Sequence, residues 1–124
     1  MAAKPDKGQP AQASLRAISG FVSDDKGGDL HRLLNDRVRL GIVSSLAVSE
    51  KLSFSELKRL LDVTDGNLSL HARKLEEAGY VDCAKSFEGR IPRTDYSITA
   101  IGRKMLNRYL KHMEALIKAT STRE

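Results

Sequence analysis

The sequence holds 124 residues, with 21 lysines and arginines against 16 aspartates and glutamates, a formal charge of +5. Apolar residues make up 40 % and tryptophan is absent; that share builds one core and excludes wholesale disorder. No apolar run approaches the roughly 18 residues of a membrane span. No long apolar stretch follows basic residues at the N-terminus, as it would in a secretory signal. Cys83 is the only cysteine, which excludes an intramolecular disulfide and a multi-cysteine zinc site. The expected compartment is the cytoplasm, with no membrane partner and no cofactor. The basic balance suits a polyanionic partner, although many soluble proteins carry as much charge.

Met1–Asp29 differs from the rest. Pro5, Pro10, Gly8, Gly20, Gly27 and Gly28 lie among alanine, serine, glutamine and aspartate. Its charges cancel, Lys4, Lys7, Arg16 and Lys26 against Asp6, Asp24, Asp25 and Asp29, so the whole excess falls on Leu30–Glu124. The expectation is a flexible or loosely docked arm over 1–29, largely mobile over Met1–Ser14. Leu15, Ala17, Ile18, Phe21 and Val22 suit one helical turn or docking on the domain.

From Leu30 the pattern becomes regular, and one domain is expected over 30–124. Leu30, Leu33, Leu34, Val38, Leu40, Ile42, Val43, Leu46 and Ala47 are spaced as on a helix, with Asn35 or Asp36 as a cap or break within it. Ser53-Phe54-Ser55-Glu56 matches the S-x-x-E capping box and opens a short helix with Leu57, Leu60 and Leu61 inward. After a turn at Asp62–Asp65, Thr64 caps a third helix from about Asp65 to Ala78. Gly79 stands where a left-handed residue is wanted. Leu68, Ala72 and Leu75 form its core stripe.

After Gly79 the period changes. Tyr80–Phe87 reads as a strand and Thr94–Ile98 as its return; Glu88–Arg93 reads as an irregular tip, because Pro92 argues against central pairing. Ile98 is read as core and Tyr96 as wing packing. Thr99 caps a last helix over about 99–119, with Ile101, Met105, Leu106, Tyr109, Leu110, Met113, Leu116 and Ile117 on its apolar face. The expected fold class is mainly α with a β-hairpin wing (α+β), in the order α-α-α-β-β-α. Two short helices joined by a tight turn make a helix-turn-helix, whose second helix can enter a major groove. A hairpin directly after it makes the winged version.

Four segments within Leu30–Lys118 resemble the winged helix-turn-helix transcriptional regulators of the MarR and ArsR type. Arg39-Leu40-Gly41-Ile42, within Asn35–Leu46, is similar to a pattern common in their first helix. Ser53–Leu57 resembles their second helix, Asn67–Val81 their recognition helix and following strand, and Gly89–Arg103 their wing and the start of the last helix. The resemblance implies a dimeric, sequence-specific regulator bound to double-stranded DNA. It also implies that the Ser-x-His pair, Ser69 and His71, faces the duplex. Leu70 departs from the pattern, where a basic residue is frequent.

With Leu68, Ala72 and Leu75 inward, Gly66, Leu70, Arg73, Lys74 and Glu77 point outward at about 100° per residue. Asn67, Ser69 and His71 lie on the flanks. Candidate DNA contacts on this helix are Asn67, Ser69, Leu70, His71, Arg73 and Lys74: short hydrogen-bonding groups near the helix start, and cations a turn further on. Four of them have a plainer role: capping for Asn67 and Ser69, a structural hydrogen bond for His71, a protein contact or an incidental exposure for Leu70. Arg90 and Arg93 around Pro92, with Lys85 at the base, suit a minor groove, or else a solvated loop. Ser55, Lys58 and Arg59 suit phosphates, as do Arg37 or Arg39.

Ile101, Met105, Tyr109, Met113, Leu116 and Ile117 continue an apolar stripe that a small domain has little core to cover. A homodimer interface is expected there, which would place two recognition helices on successive major grooves. The alternative is that the helix folds back on its own first helix. A second functional reading is a winged-helix protein–protein interaction module without specific DNA binding. No nucleophile–base pair, paired carboxylates or phosphate loop supports an enzyme. His31, His71 and His112 are too scattered for a metal site, and Cys83 reads as a small buried hydrophobe. An unidentified small-molecule effector, if one binds, belongs between the last helix and the recognition unit.

Overall fold

In the computed structural model the described residues are 10–22 and 32–121. Along them run α1 (Pro10–Val22), α2 (Arg37–Ser49), β1 (Lys51–Ser53), α3 (Phe54–Leu61), α4 (Asp65–Glu77), β2 (Val81–Glu88), β3 (Ile91–Ile98) and α5 (Ala100–Thr120). The expectations for 1–9, for Leu30 and for His31 lie outside the described residues.

The first difference from expectation is α1. Thirteen residues are helical where one turn was foreseen, so Pro10–Ser14 belongs to a helix. Proline tolerates the first helical position because its missing N–H would be unpaired there anyway. The helix packs along α5, and the Phe21 ring meets Tyr109 edge-on at 5.9 Å between centroids.

Asp36 ends the Leu33–Leu34 turn and caps α2. Its Oδ1 accepts from the backbone N–H of Val38 and of Arg39, each at 3.0 Å. Burial alone would raise its pKa, but those N–H groups and the nearby Arg39 guanidinium outweigh it and hold the carboxyl below its ordinary range.

The second difference is β1, three residues that pair antiparallel with β3 as Lys51↔Ser97, Leu52↔Tyr96 and Ser53↔Asp95. The sheet order is β1-β3-β2. Ser53 ends β1 and caps α3 as well: Glu56 N–H donates to its Oγ at 3.1 Å, and its own N–H donates to Glu56 Oε1 at 2.8 Å. On α3 the inward residues are Leu57, buried, and Leu61, packed against the core. Leu60 is 62 % exposed, contrary to expectation, because an eight-residue helix turns only one narrow stripe inward.

The hairpin is tighter than expected. Its turn is Gly89-Arg90, with Gly89 at φ 67° in the first central position, as a type II′ turn requires. Pro92 is in the ladder, opposite Phe87. Glu88↔Ile91 closes the turn as a hydrogen-bonded pair, so Phe87↔Pro92 is the non-bonded pair next to it. Proline therefore forfeits nothing toward β2, and β1 reaches only Asp95 on the other side.

The core gathers Leu34, Ile42, Val43, Leu46, Leu57, Leu68, Ala72, Leu75, Tyr80, Val81, Tyr96, Met105, Leu106 and Tyr109. Tyr96 is buried and Ile98 only partly so, the reverse of the expectation. Tyr96 sits mid-sheet between Leu52 and Cys83, whereas Ile98 lies at the strand end. Cys83 is half-buried and packs on the core. Burial, and secondarily Cys83, pushes the Tyr96 phenol up to about 12.

The start of α5 is fastened to the end of α4. Thr99 Oγ1 donates toward Gly79 O (2.6 Å) and Tyr80 O (3.0 Å), and accepts from Gly102 N–H at 2.9 Å. Gly79 is at φ 84°, the left-handed position foreseen for it.

Candidate nucleic-acid interface

The turn between α3 and α4 depends on Asp62, left-handed at φ 56°. Thr64 then caps α4 by accepting from Asn67 N–H at 3.1 Å. With Leu68, Ala72 and Leu75 fully covered, Gly66, Asn67, Leu70, Arg73, Lys74 and Glu77 are exposed along the opposite side. Ser69 and His71 are half-buried on the two flanks. Leu70 is 50 % exposed at the centre of this face.

His71 is tied to α2. Its Nδ1 lies 2.9 Å from Arg39 Nη1 and 3.9 Å from Asp36 Oδ1. A guanidinium only donates, so Nδ1 accepts and the ring proton sits on Nε2. Arg39 also donates through Nε to Leu33 O at 2.6 Å. Both side chains are thus engaged within the chain, a link across 32 residues of sequence.

Ser55, Lys58 and Arg59 are exposed on α3 and line a groove of about 580 Å³ that Asp65 borders from α4. Lys58 Nζ is paired with Asp65 Oδ1 at 2.9 Å. On the wing, the two arginines differ. Arg93 Nε lies 3.1 and 3.2 Å from the Asp95 oxygens, and its Nη1 lies 3.5 Å from Glu88 Oε1. The hydrogen bond to Asp95 raises its pKa further. Arg90, at the apex, is exposed and carries no ion pair among the described residues.

Charge is unevenly placed. Residues 32–99 hold eleven basic and ten acidic side chains, whereas α5 holds Arg103, Lys104, Arg108, Lys111 and Lys118 against Glu114 alone. The face offered by α3, α4 and the wing therefore owes its cations to position rather than to net charge. Arg59, Arg73, Lys74, Lys85 and Arg90 are its exposed cations without an ion pair among the described residues.

The six residues expected at a dimer interface divide. Met105 and Tyr109 are buried within the chain, and Met113 packs against the same core. The chain itself covers this part of the stripe: α1 lies along α5, and Tyr109 Oη reaches Asn35 Oδ1 at 3.4 Å. Met105 and Tyr109 are thereby removed from any surface. Ile101 and Ile117 remain more than half exposed, and Leu116 is half-buried. Leu110, 42 % exposed, was not among the six. The sequence reading also gave no role to Phe87 and Ile91, the wing's exposed apolar pair; it put Phe87 on a strand and Ile91 in the tip, and the lack of cover over either was not visible.

Among the described residues no group of three His, Cys, Asp or Glu side chains gathers to hold a metal ion. No described helix is long and apolar enough to cross a membrane.

Residues 38–117 match the family model described as winged helix DNA-binding domain. The chain belongs to that family. An uncharacterized protein of Methanocaldococcus jannaschii is 39 % identical over 88 residues, 70 % of this chain and 95 % of that protein. The solved structure of a transcriptional regulator homologue from Pyrococcus horikoshii superposes with a TM-score of 0.73 at 32 % identity, covering 86 % of this chain and 98 % of that one. MarR itself shares the fold, with a TM-score of 0.63 at 20 % identity over 86 % of this chain and 74 % of its own. The winged helix fold expected from the resemblance is therefore the fold observed, and family and fold are those of DNA-binding transcriptional regulators, not of enzymes. In that frame α3 and α4 are the helix-turn-helix, and β2 and β3 are the wing.

Proposed function

We propose that this winged helix protein is a dimeric, sequence-specific regulator of transcription that binds double-stranded DNA. The observation that carries the reading is the outward side of α4, where Asn67, Leu70, Arg73 and Lys74 stand free of the core and in sequence with a wing tipped by Arg90. Asn67 and Ser69 contact base edges near the helix start, and Arg73 and Lys74 contact guanine or phosphate one turn on. Leu70 meets a thymine methyl group. His71 has one free ring nitrogen, Nε2–H, and so donates to an acceptor on the duplex while Arg39 orients it. Ser55 and Arg59 fix phosphates. Arg90 makes the wing's contact with the backbone or minor groove, and Arg93 braces the wing through Asp95. Ile101, Leu116 and Ile117, with Met113 at the edge, pair two copies across a two-fold axis in the cytoplasm.

The test is selection from a randomised duplex pool. The reading predicts an enriched motif repeated with two-fold symmetry, its half-sites about 10–10.5 base pairs apart or a multiple of that. A pool without enrichment refutes sequence-specific recognition. A single, asymmetric motif bound by one chain refutes the dimer.

A further inference from the structure

The chain has six aromatic residues. Tyr80, Tyr96 and Tyr109 are buried, and Phe21 and Phe54 pack against the core. Phe87 does none of this: it is 73 % exposed near the tip of the wing. Its cross-strand neighbour is Pro92, also exposed, and Ile91, on the opposite face, is 69 % exposed.

The ladder explains the position. Val81, Cys83, Lys85 and Phe87 share one face of β2, and Pro92, Thr94, Tyr96 and Ile98 share that face of β3. Core contacts on this face run out at the Cys83↔Tyr96 pair. Lys85↔Thr94 comes next, and Phe87↔Pro92 stands beyond, two pairs past the core. A non-hydrogen-bonded pair brings its side chains close, at about 4.5 Å between Cα atoms. Phe87 and Pro92 thus make one apolar blade, clipped by the two-residue turn at Gly89-Arg90.

Electrostatics choose its occupant. Glu88, the tip's only carboxylate, is paired with Arg93, which Asp95 also holds. The unneutralised charge at the tip is Arg90. An apolar blade two strands thick beside one free guanidinium matches what inserts between base steps in a minor groove: a wedge that unstacks bases and a cation that holds the backbone. The groove is about 6 Å wide, and the wing directly follows α4.

We propose that the wing tip is a DNA-deforming wedge, in which Phe87 backed by Pro92 enters a minor-groove base step while Arg90 holds the adjacent phosphate, so that the duplex bends. This rests on the DNA-binding reading above. It goes beyond that reading in giving the wing an apolar, shape-reading task, with specificity for easily unstacked steps such as TA.

The experiment uses the full chain and duplexes of about 30 base pairs, with a central TA step and donor and acceptor dyes at the ends. Anisotropy records binding and energy transfer records bending in the same sample. A second set carries 2-aminopurine at the central step, whose fluorescence rises on unstacking. The wild type should bend the duplex by at least about 20° and brighten 2-aminopurine. Phe87→Ala, on an exposed site that leaves the melting temperature unchanged, should lose more than about half of the bend and most of the brightening while still binding. Arg90→Ala should weaken binding. Binding without bending, or equal bending by Phe87→Ala, overturns the wedge and leaves the DNA reading standing. No anisotropy change with any duplex overturns both. A Phe87→Ala variant that changes the sedimentation coefficient but not the bend assigns the tip to contact between copies and overturns the wedge.

Discussion

Replacing Gly102 by alanine tests how the last helix is seated on the recognition unit. A Cβ at residue 102 would overlap the Tyr80 carbonyl oxygen and lie 3.0 Å from its carbon and 3.1 Å from Tyr80 Cα. All three are backbone atoms, and that carbonyl already accepts from Thr99 N–H and Thr99 Oγ1, each at 3.0 Å. The helix must move away, at about 1–3 kcal/mol for overpacking and about 1 kcal/mol for each hydrogen bond lost. Alanine's better helix propensity returns at most about 1 kcal/mol. The net expectation is a loss of about 2–4 kcal/mol, a large share of a small domain's stability. Gly66 supplies the control: nothing lies within 4 Å of its added Cβ. Gly66→Ala should therefore stabilise by up to about 1 kcal/mol. Urea unfolding followed by circular dichroism, at one fixed protein concentration, should move the two midpoints in opposite directions at equal m. A Gly102→Ala midpoint at or above the wild-type value would refute the close approach.

Other expectations follow from the caps and the wing. Ser53→Ala removes the α3 cap and an acceptor in a buried position, and should cost about 1 kcal/mol, up to about 2, read as a fall in the urea midpoint. Asp36 and Glu56 are both held below their ordinary values of 3.8 and 4.5. The unfolded chain therefore binds more protons, and the stability these carboxylates contribute is present above those values and lost as pH falls through and below them. The melting temperature should be flat from neutrality to about pH 5 and then fall, less steeply for Glu56→Ala; a rise on acidification would contradict the assignment. Arg93→Ala should barely alter the salt dependence of DNA binding, because Asp95 and Glu88 already neutralise it. Arg90→Ala should make the slope of log K against log salt shallower by about 0.9. Equal effects would mean that the wing ion pairs open on the duplex.

What the sequence discloses here is local chemistry. Ser53–Glu56, Thr64, Gly79 and Thr99 mark their helix ends by residue type and spacing, and the Leu68, Ala72, Leu75 stripe orients α4. Features that depend on a distant partner stay hidden. Lys51–Ser53 is too short to show alternation and becomes a strand only beside β3. Pro92 argued for an irregular tip because its non-bonded register is invisible without the turn type. Met105 and Tyr109 looked like surplus apolar surface until α1, read as arm, was found lying along α5. The His71–Arg39 bond joins two helices with no sequence signal. The Arg93-x-Asp95 pair, by contrast, could have been foreseen, since alternate strand residues share a face.

The most direct test of the account is a fluorescence-anisotropy titration of random-sequence duplex at several salt concentrations, for the wild type and an Arg73→Ala/Arg90→Ala variant. Arg59, Arg73, Lys74, Lys85 and Arg90 are the exposed cations without an ion pair on the face assigned to DNA. If all five meet phosphates, log K should fall with log salt at a slope of about −4.5 per chain, and the variant should flatten it by about 2. No binding at low salt, or binding indifferent to salt, would contradict the assignment of this face to DNA and favour a protein partner at the Leu70 surface.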